Sequence, residues 1–270
     1  MGINITPKMA RSKGDIFWTR DEYIAVLGLY LKMPFGKMHS RNPDVIEMSK
    51  IIGRTPGAVA MRLVNFASVD PFHINRGIKG LPGGKKQCEI IFNEFVNNRE
   101  DLLFESEKII SEKQNLTIEV KFEEIFKDDY LKDKKGEDKV RLIKTRVNQH
   151  LFRQIVLGNY QNKCAISGID VSELLVAGHI VPWSKNEKER LNPENGICLS
   201  NLYDRAFEEG YIGINLDYEI IISNELKKRV EKPYYTDFFG QFENKLISLP
   251  QKYFPNKDFL DFHLNDIFKS

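Results

Sequence analysis

Residues 174–213 read LLVAGHIVPWSKNEKERLNPENGICLSNLYDRAFEEGYIG, and this stretch decides the fold of the second half of the chain. Leu174-Leu175-Val176-Ala177 is a short apolar run that ends in Gly178-His179, and Pro182 follows so closely that the chain must leave the sheet there. A polar loop then reaches Asn195-Gly196, a hairpin turn pair, and Ile197-Cys198-Leu199 reads as a returning strand. The helix after it carries Asp204 and Glu208 one turn apart on one face. The order strand, loop, strand, helix predicts a ββα unit.

Downstream, Ile212-Gly213-Ile214-Asn215 and Tyr218 to Ile222 read as a hairpin around Leu216-Asp217. The last segment holds Tyr234, Tyr235, Phe238, Phe239, Phe254, Phe259, Phe262 and Phe268, a set suited to core and dimer surface. Upstream, KVRLIKTRVNQHLFR (139–153) has five Lys or Arg and no acid, with Val140, Ile143, Val147, Leu151 and Phe152 on one side. That pattern predicts a basic amphipathic helix, with Arg146 and Arg153 as candidate phosphate contacts. The polar, highly charged stretch 114–138 before it reads as a linker.

The N-terminal part is helical. Thr19 and Glu22 form a capping-box pattern ahead of Tyr23, Val26, Leu27, Tyr30 and Leu31 at helical spacing. Val45 to Ile52 reads as a second helix that stops at Gly53, and Thr55-Pro56 starts a third that runs to the breaker at Pro71. A short Gly-containing turn between two helices is what a helix-turn-helix module needs, with Arg54 and Arg62 as its DNA contacts. A plain three-helix bundle, or one that docks a protein, fits the same pattern. Gly77, Gly80, Pro82, Gly83 and Gly84 predict a loop, in which Lys85 and Lys86 could follow a phosphate backbone. Residues 88–113 read as helix. The chain thus divides into a helical DNA-recognition domain (1–113), a linker (114–138) and a second domain (139–270), an α+β protein overall.

Composition bounds the function classes. The 270 residues are 41% hydrophobic and 29% charged, an ordinary globular mixture that excludes fibrous and disordered classes. Net charge runs +7 over 1–99, −6 over 100–131, +5 over 132–153 and −4 over 154–270, so two basic blocks face an acidic connector. Basic blocks of this kind suit a polyanion. The three cysteines, Cys88, Cys164 and Cys198, form no CxxC pair, which argues against a disulfide framework or a structural zinc and for a reducing cytoplasm. No 18-residue apolar run and no apolar leader is visible, so neither a membrane nor export is expected. No phosphate-binding Gly-Lys-Ser/Thr loop occurs, so no nucleotide cofactor is expected.

GHIVPW, NGICL and LYDRAFEEG, in that order, resemble the HNH nuclease family, and VNQHLFRQIVLGNYQNKCAISG is similar to the lead-in of its branch of predicted restriction endonucleases. The resemblance covers roughly residues 140–270. It implies a ββα-metal nuclease domain, with His179 as general base, Asn195 in the connecting loop and Asp204, with Glu208, as carboxylates for one Mg²⁺ or Mn²⁺ per active site. Phosphodiester hydrolysis needs a base to deprotonate water and a cation to offset the charge of the leaving oxygen, and an imidazole and hard oxygen ligands suit those tasks. Asn195 would pin the loop or orient His179. Arg190 and Arg205 are further candidates for holding phosphates. Two positions depart from the pattern: Gly178 stands where many members carry an Asp before the base, and Tyr203-Asp204 where many carry His.

The resulting expectation is a metal-dependent endonuclease that cuts double-stranded DNA in restriction or defence, as a homodimer because a two-fold duplex needs two active sites. Two rivals stand beside it. One is a helix-turn-helix regulator with an inactive nuclease fold, and the other a nuclease effector gated by a protein partner.

Overall fold

Thr19 starts the first helix through a closed capping box: its hydroxyl accepts from the Glu22 amide at 3.3 Å and its amide donates to the Glu22 carboxylate at 2.9 Å. The computed structural model describes residues 17–75, 77–79, 82–95, 98–126 and 135–270. Helix α1 (Arg20–Lys32) is buried along almost its whole length, from Glu22 to Gly28 and at Tyr30 and Leu31. Gly28 permits this, because a Cβ there would overlap the Ser106 hydroxyl of the helix lying across it, α6 (Arg99–Lys113). α2 (Pro43–Ile51) is capped by Asn42 and α3 (Pro56–Ala67) by Thr55, each with proline in its first turn. The two helices pack on each other across the turn at Ile52 to Thr55, and α3 also packs on α1 and α5 (Pro82–Phe95).

Two expectations change here. Of the Gly-rich stretch, Gly80 lies outside the described residues, while Pro82 opens α5, so that Lys85 and Lys86 stand exposed on a helix rather than in a loop. Proline is favoured at a first helical position, where its missing N–H costs nothing. The segment 88–113 is two helices rather than one. The Asn98 side chain accepts from the Asp101 amide at 3.3 Å and starts α6 anew.

A short helix, α4 (Pro71–Ile74), follows α3, and α7 (Ile118–Lys121) follows α6. Residues 127–134, the centre of the expected linker, lie outside the described residues. The basic helix extends further than its sequence pattern, as α8 (Gly136–Asn159), with Ile143, Val147, Leu151, Phe152, Ile155 and Val156 buried. It packs on α1 and α6 and also on both strands of the ββα unit. Those strands, β1 (Leu175–His179) and β2 (Gly196–Ser200), are antiparallel, with Gly178 opposite Ile197 and His179 opposite Gly196. α9 (Asn201–Glu208) follows directly and packs on both.

β3 (Ile212–Ile214) and β4 (Ile220–Ile222) form the expected hairpin, its turn held by Asn215, whose side chain accepts from the Asp217 amide at 2.9 Å. α10 (Asn224–Lys227), α11 (Pro233–Phe238) and α12 (Lys257–Asp266) complete the chain. Between the last two, Lys252 is buried. Its backbone is bound at both N–H and C=O by the Asn159 side chain, and its ammonium lies 3.4 Å from the buried Asp70 carboxylate, over the Tyr30 ring. The C-terminal segment is thereby tied to the N-terminal helices.

Cys88, Cys164 and Cys198 are buried and free. Among the described residues no helix is long and apolar enough to cross a membrane.

Candidate active site

His179 ends β1, where the strand stops because Pro182 turns the chain away. Its imidazole lies flat against the Phe152 ring of α8, centroids 4.4 Å apart and planes 12° apart, and meets the edge of Trp183 at 5.4 Å. Nε2 is 2.9 Å from the Arg190 carbonyl oxygen. A carbonyl only accepts, so Nε2 carries the proton and the lone pair of the neutral ring is on Nδ1. Burial lowers the pKa of this histidine below its ordinary value, against the opposing effect of the Arg190 carbonyl.

The loop that supplies this carbonyl is held from within. Arg190 donates from Nε to the Trp183 carbonyl at 2.8 Å, lies over the Trp183 ring, and pairs with Glu187 at 3.1 Å. Asn195, 1% exposed, accepts from the Val181 amide at 2.8 Å and donates to the Val181 and Glu189 carbonyls at 3.1 and 3.2 Å. Its side chain therefore closes the loop, while the orientation of His179 comes from the Arg190 backbone and two aromatic rings. Arg153 donates to the Leu175 and Ser172 carbonyls at 2.6 and 3.1 Å, fixing the start of β1.

Asp204 sits in the first turn of α9, half-buried, its carboxylate without a hydrogen bond or ion pair to any described residue. Burial, with the neighbouring Glu208 charge, pushes its carboxyl up to about 6. Gly178 makes room for it: a Cβ at 178 would stand closer than 3.0 Å to the Asp204 carboxylate. The strand position without a side chain thus faces a helix carboxylate that occupies the space. Glu208 is exposed and pairs with Arg205 at 2.8 Å, and Arg205 also pairs with Glu209 at 2.6 Å.

His179, Trp183, Asp204, Phe207, Glu208 and His263 line one cleft of about 200 Å³. His263 carries no sequence motif. It reaches the cleft from α12, and what marks it is burial, stacking on Phe207 and a hydrogen bond to a backbone carbonyl, none of which a sequence displays.

Among the described residues no three His, Cys, Asp or Glu side chains are grouped closely enough to enclose a metal ion. The donor set nevertheless fits a hard divalent cation that keeps most of its water: a half-buried carboxylate without a partner among the described residues, in one cleft with two histidines.

The remaining candidates divide by exposure. Arg54 is inside, donating to Glu22 at 2.7 and 2.9 Å and to the Phe17 carbonyl at 2.7 Å. Arg62 is stacked between Trp18 and Tyr23, 4.5 and 4.6 Å from their ring centres, and donates to the Gly84 carbonyl. Lys85, Lys86, Arg146 and Arg205 are exposed.

Residues 164–215 match the family model HNH_2, HNH endonuclease. In this segment, which holds β1, β2, α9 and the loop between the strands, the chain is similar to HNH endonucleases, so the resemblance carried by GHIVPW, NGICL and LYDRAFEEG holds there. The match spans under half of the chain and leaves the N-terminal helices outside it. No curated protein matches the chain.

Proposed function

We propose that this chain is a metal-dependent endonuclease that hydrolyses the phosphodiester bonds of double-stranded DNA, with His179 as general base and Asp204 as the cation-holding carboxylate. The observation that carries the reading is the fixed tautomer of His179, its Nδ1 lone pair free, in one cleft with an unpaired carboxylate. Nδ1 takes the proton of the attacking water, and the Arg190 carbonyl stabilises the imidazolium that forms. Phe152 and Trp183 hold the ring in plane while Asn195 keeps the loop closed. A divalent cation on Asp204 supplies, when bound, positive charge for the phosphate and the leaving 3′ oxygen. Glu208, tethered to Arg205, stands one turn on and is the second carboxylate within reach.

Residues 1–113 act as the DNA-recognition part, 114–138 as connector and 139–270 as the nuclease part. Lys85, Lys86 and Arg146 are the exposed cations that meet phosphates. Buried free thiols suit the reducing cytoplasm, and two copies would cut the two strands. Restriction of foreign DNA is the role this combination serves.

The test is incubation of supercoiled plasmid, and of modified and unmodified phage DNA, with Mg²⁺, Mn²⁺ or EDTA. Cutting that requires the cation is expected, and absence of cutting on every DNA would sink the proposal.

A second reading has its own observation. The outward face of α3 presents Gly57 and Met61, the latter 51% exposed, while Arg54 and Arg62 are turned inward, which suits contact with a protein better than base reading. On that reading the nuclease is gated by a partner, and DNA binding by the chain alone depends only weakly on salt.

A further inference from the structure

His263 is buried in α12, far in sequence from the ββα unit, yet it lines the cleft with Asp204, Glu208 and His179. Its ring stacks on Phe207 of α9, centroids 3.7 Å apart and planes 8° apart, and its Nε2 is 2.9 Å from the Phe207 carbonyl oxygen. The carbonyl fixes the proton on Nε2, as the Arg190 carbonyl does for His179, and burial keeps the ring neutral by lowering its pKa to about 4. The lone pair is then on Nδ1, which is shielded from solvent and has no hydrogen-bond partner among the described residues.

A buried acceptor left without a donor costs about 1–3 kcal/mol, and such an atom in a functional cleft marks the place of a missing donor. The polar groups His179, Asp204 and His263 bring to this cleft are all acceptors: two imidazole lone pairs and a carboxylate. Their common complement is a ligand made of donors. The waters on a hydrated divalent cation are such a ligand, since metal-bound water turns its hydrogens outward. Direct ligation is disfavoured, because no three ligand side chains among the described residues are grouped around one point.

We infer that His263 is an outer-shell residue of the cation site, its Nδ1 accepting a hydrogen bond from a cation-bound water and its Nε2–H holding α9, with Asp204, in place through Phe207. The inference rests on the reading of Asp204 as the cation carboxylate. It also accounts for the glycine at 178: the cation is held by one direct carboxylate and an imidazole acting through water, without a strand ligand.

The experiment is Mn²⁺ binding to the full chain without DNA, read from loss of the free-ion electron paramagnetic resonance signal, with a thermal melt for each variant. His263→Gln keeps an N–H able to reach Phe207 and has no acceptor at the Nδ1 position; Mn²⁺ affinity should fall about tenfold or more, the usual effect of removing an outer-shell partner. His263→Asn keeps an acceptor near the Nδ1 position and cannot reach Phe207; it should melt lower yet bind Mn²⁺ within about threefold of wild type. Wild-type affinity in His263→Gln, or losses in both variants that simply follow their melting temperatures, would overturn the inference. Asp204→Asn separates the two layers. It should abolish binding, and if it binds like wild type the cation reading itself fails.

Discussion

Replacing Gly178 by Ala perturbs the site at one atom. The new Cβ would stand within 3.0 Å of the Asp204 carboxylate, at least about 0.4 Å short of ordinary contact at 3.4 Å, with Leu199 the next neighbour at 3.5 Å. The obstructed group is the end of a flexible side chain, so the carboxylate swings aside and the strand stays. Folding should change by less than about 1 kcal/mol, because the alanine stiffens the unfolded chain by about as much as the residual overlap costs. The chemistry should suffer more. Misplacement by about 1 Å costs roughly 10²-fold in rate, so a shift of this size should lower kcat/KM for plasmid nicking about 10- to 100-fold, or about 1.4–2.7 kcal/mol in barrier. The assay pairs a nicking time course over a Mn²⁺ titration with a thermal melt. A companion double variant, Gly178→Asp with Asp204→Ala, frees the space and returns a carboxylate from the strand; it should cut faster than Asp204→Ala alone. Wild-type nicking and an unchanged Mn²⁺ dependence in Gly178→Ala would refute the reasoning, since the position of Asp204 against β1 would then be irrelevant to the cation.

A base must be neutral to act and burial depresses the pKa of His179, so the acid limb of kcat/KM should lie below about pH 6.5, and a limb centred near pH 7 or above would contradict the assignment. Lys252 is buried and its amine is pushed down to about 7, with Asp70 opposing the shift. The unfolded chain therefore binds more protons at Lys252 above that pH, so in urea titrations from pH 7 to 9 the stability of wild type should rise by about 2 kcal/mol relative to that of Lys252→Met. Arg54→Ala strands the buried Glu22 carboxylate and should cost about 3 kcal/mol or more of stability. Lys85→Gln with Lys86→Gln should instead leave the melt unchanged and lower the slope of log K against log salt by up to about 2. Reversal of that contrast would return Arg54 to the DNA face.

The short-range features were legible in sequence because their physics is local. Thr19 with Glu22 and Thr55 ahead of proline each act within four residues, and each begins the helix it predicts. Asn195-Gly196 does not make the expected hairpin turn, because Asn195 ends a short 3₁₀ turn of the long loop and Gly196 is already extended as the first residue of β2. The ββα unit followed from its apolar runs and breakers, and His179, Asn195 and Asp204 were singled out by the resemblance of that stretch to HNH nucleases. What was hidden depends on contacts between distant residues or on backbone atoms. Arginine reads as a surface cation until Glu22 and Trp18, over 30 residues away, are seen to bind Arg54 and Arg62. The carbonyls of Arg190 and Phe207 set two histidine tautomers, and a carbonyl has no residue identity to read. His263 was indistinguishable from a core histidine for that reason. Gly178 appeared as a missing ligand, and only the position of the Asp204 carboxylate explains why no side chain fits there.

The most direct test of the central claim is the single-turnover rate of DNA cleavage by wild type and His179→Ala at saturating Mn²⁺. Loss of a general base lowers such a rate by about 10²–10⁴-fold, and the account predicts a fall in that range at a Mn²⁺ concentration that saturates both proteins and a temperature at which both are folded. Equal rates in the two proteins would contradict it.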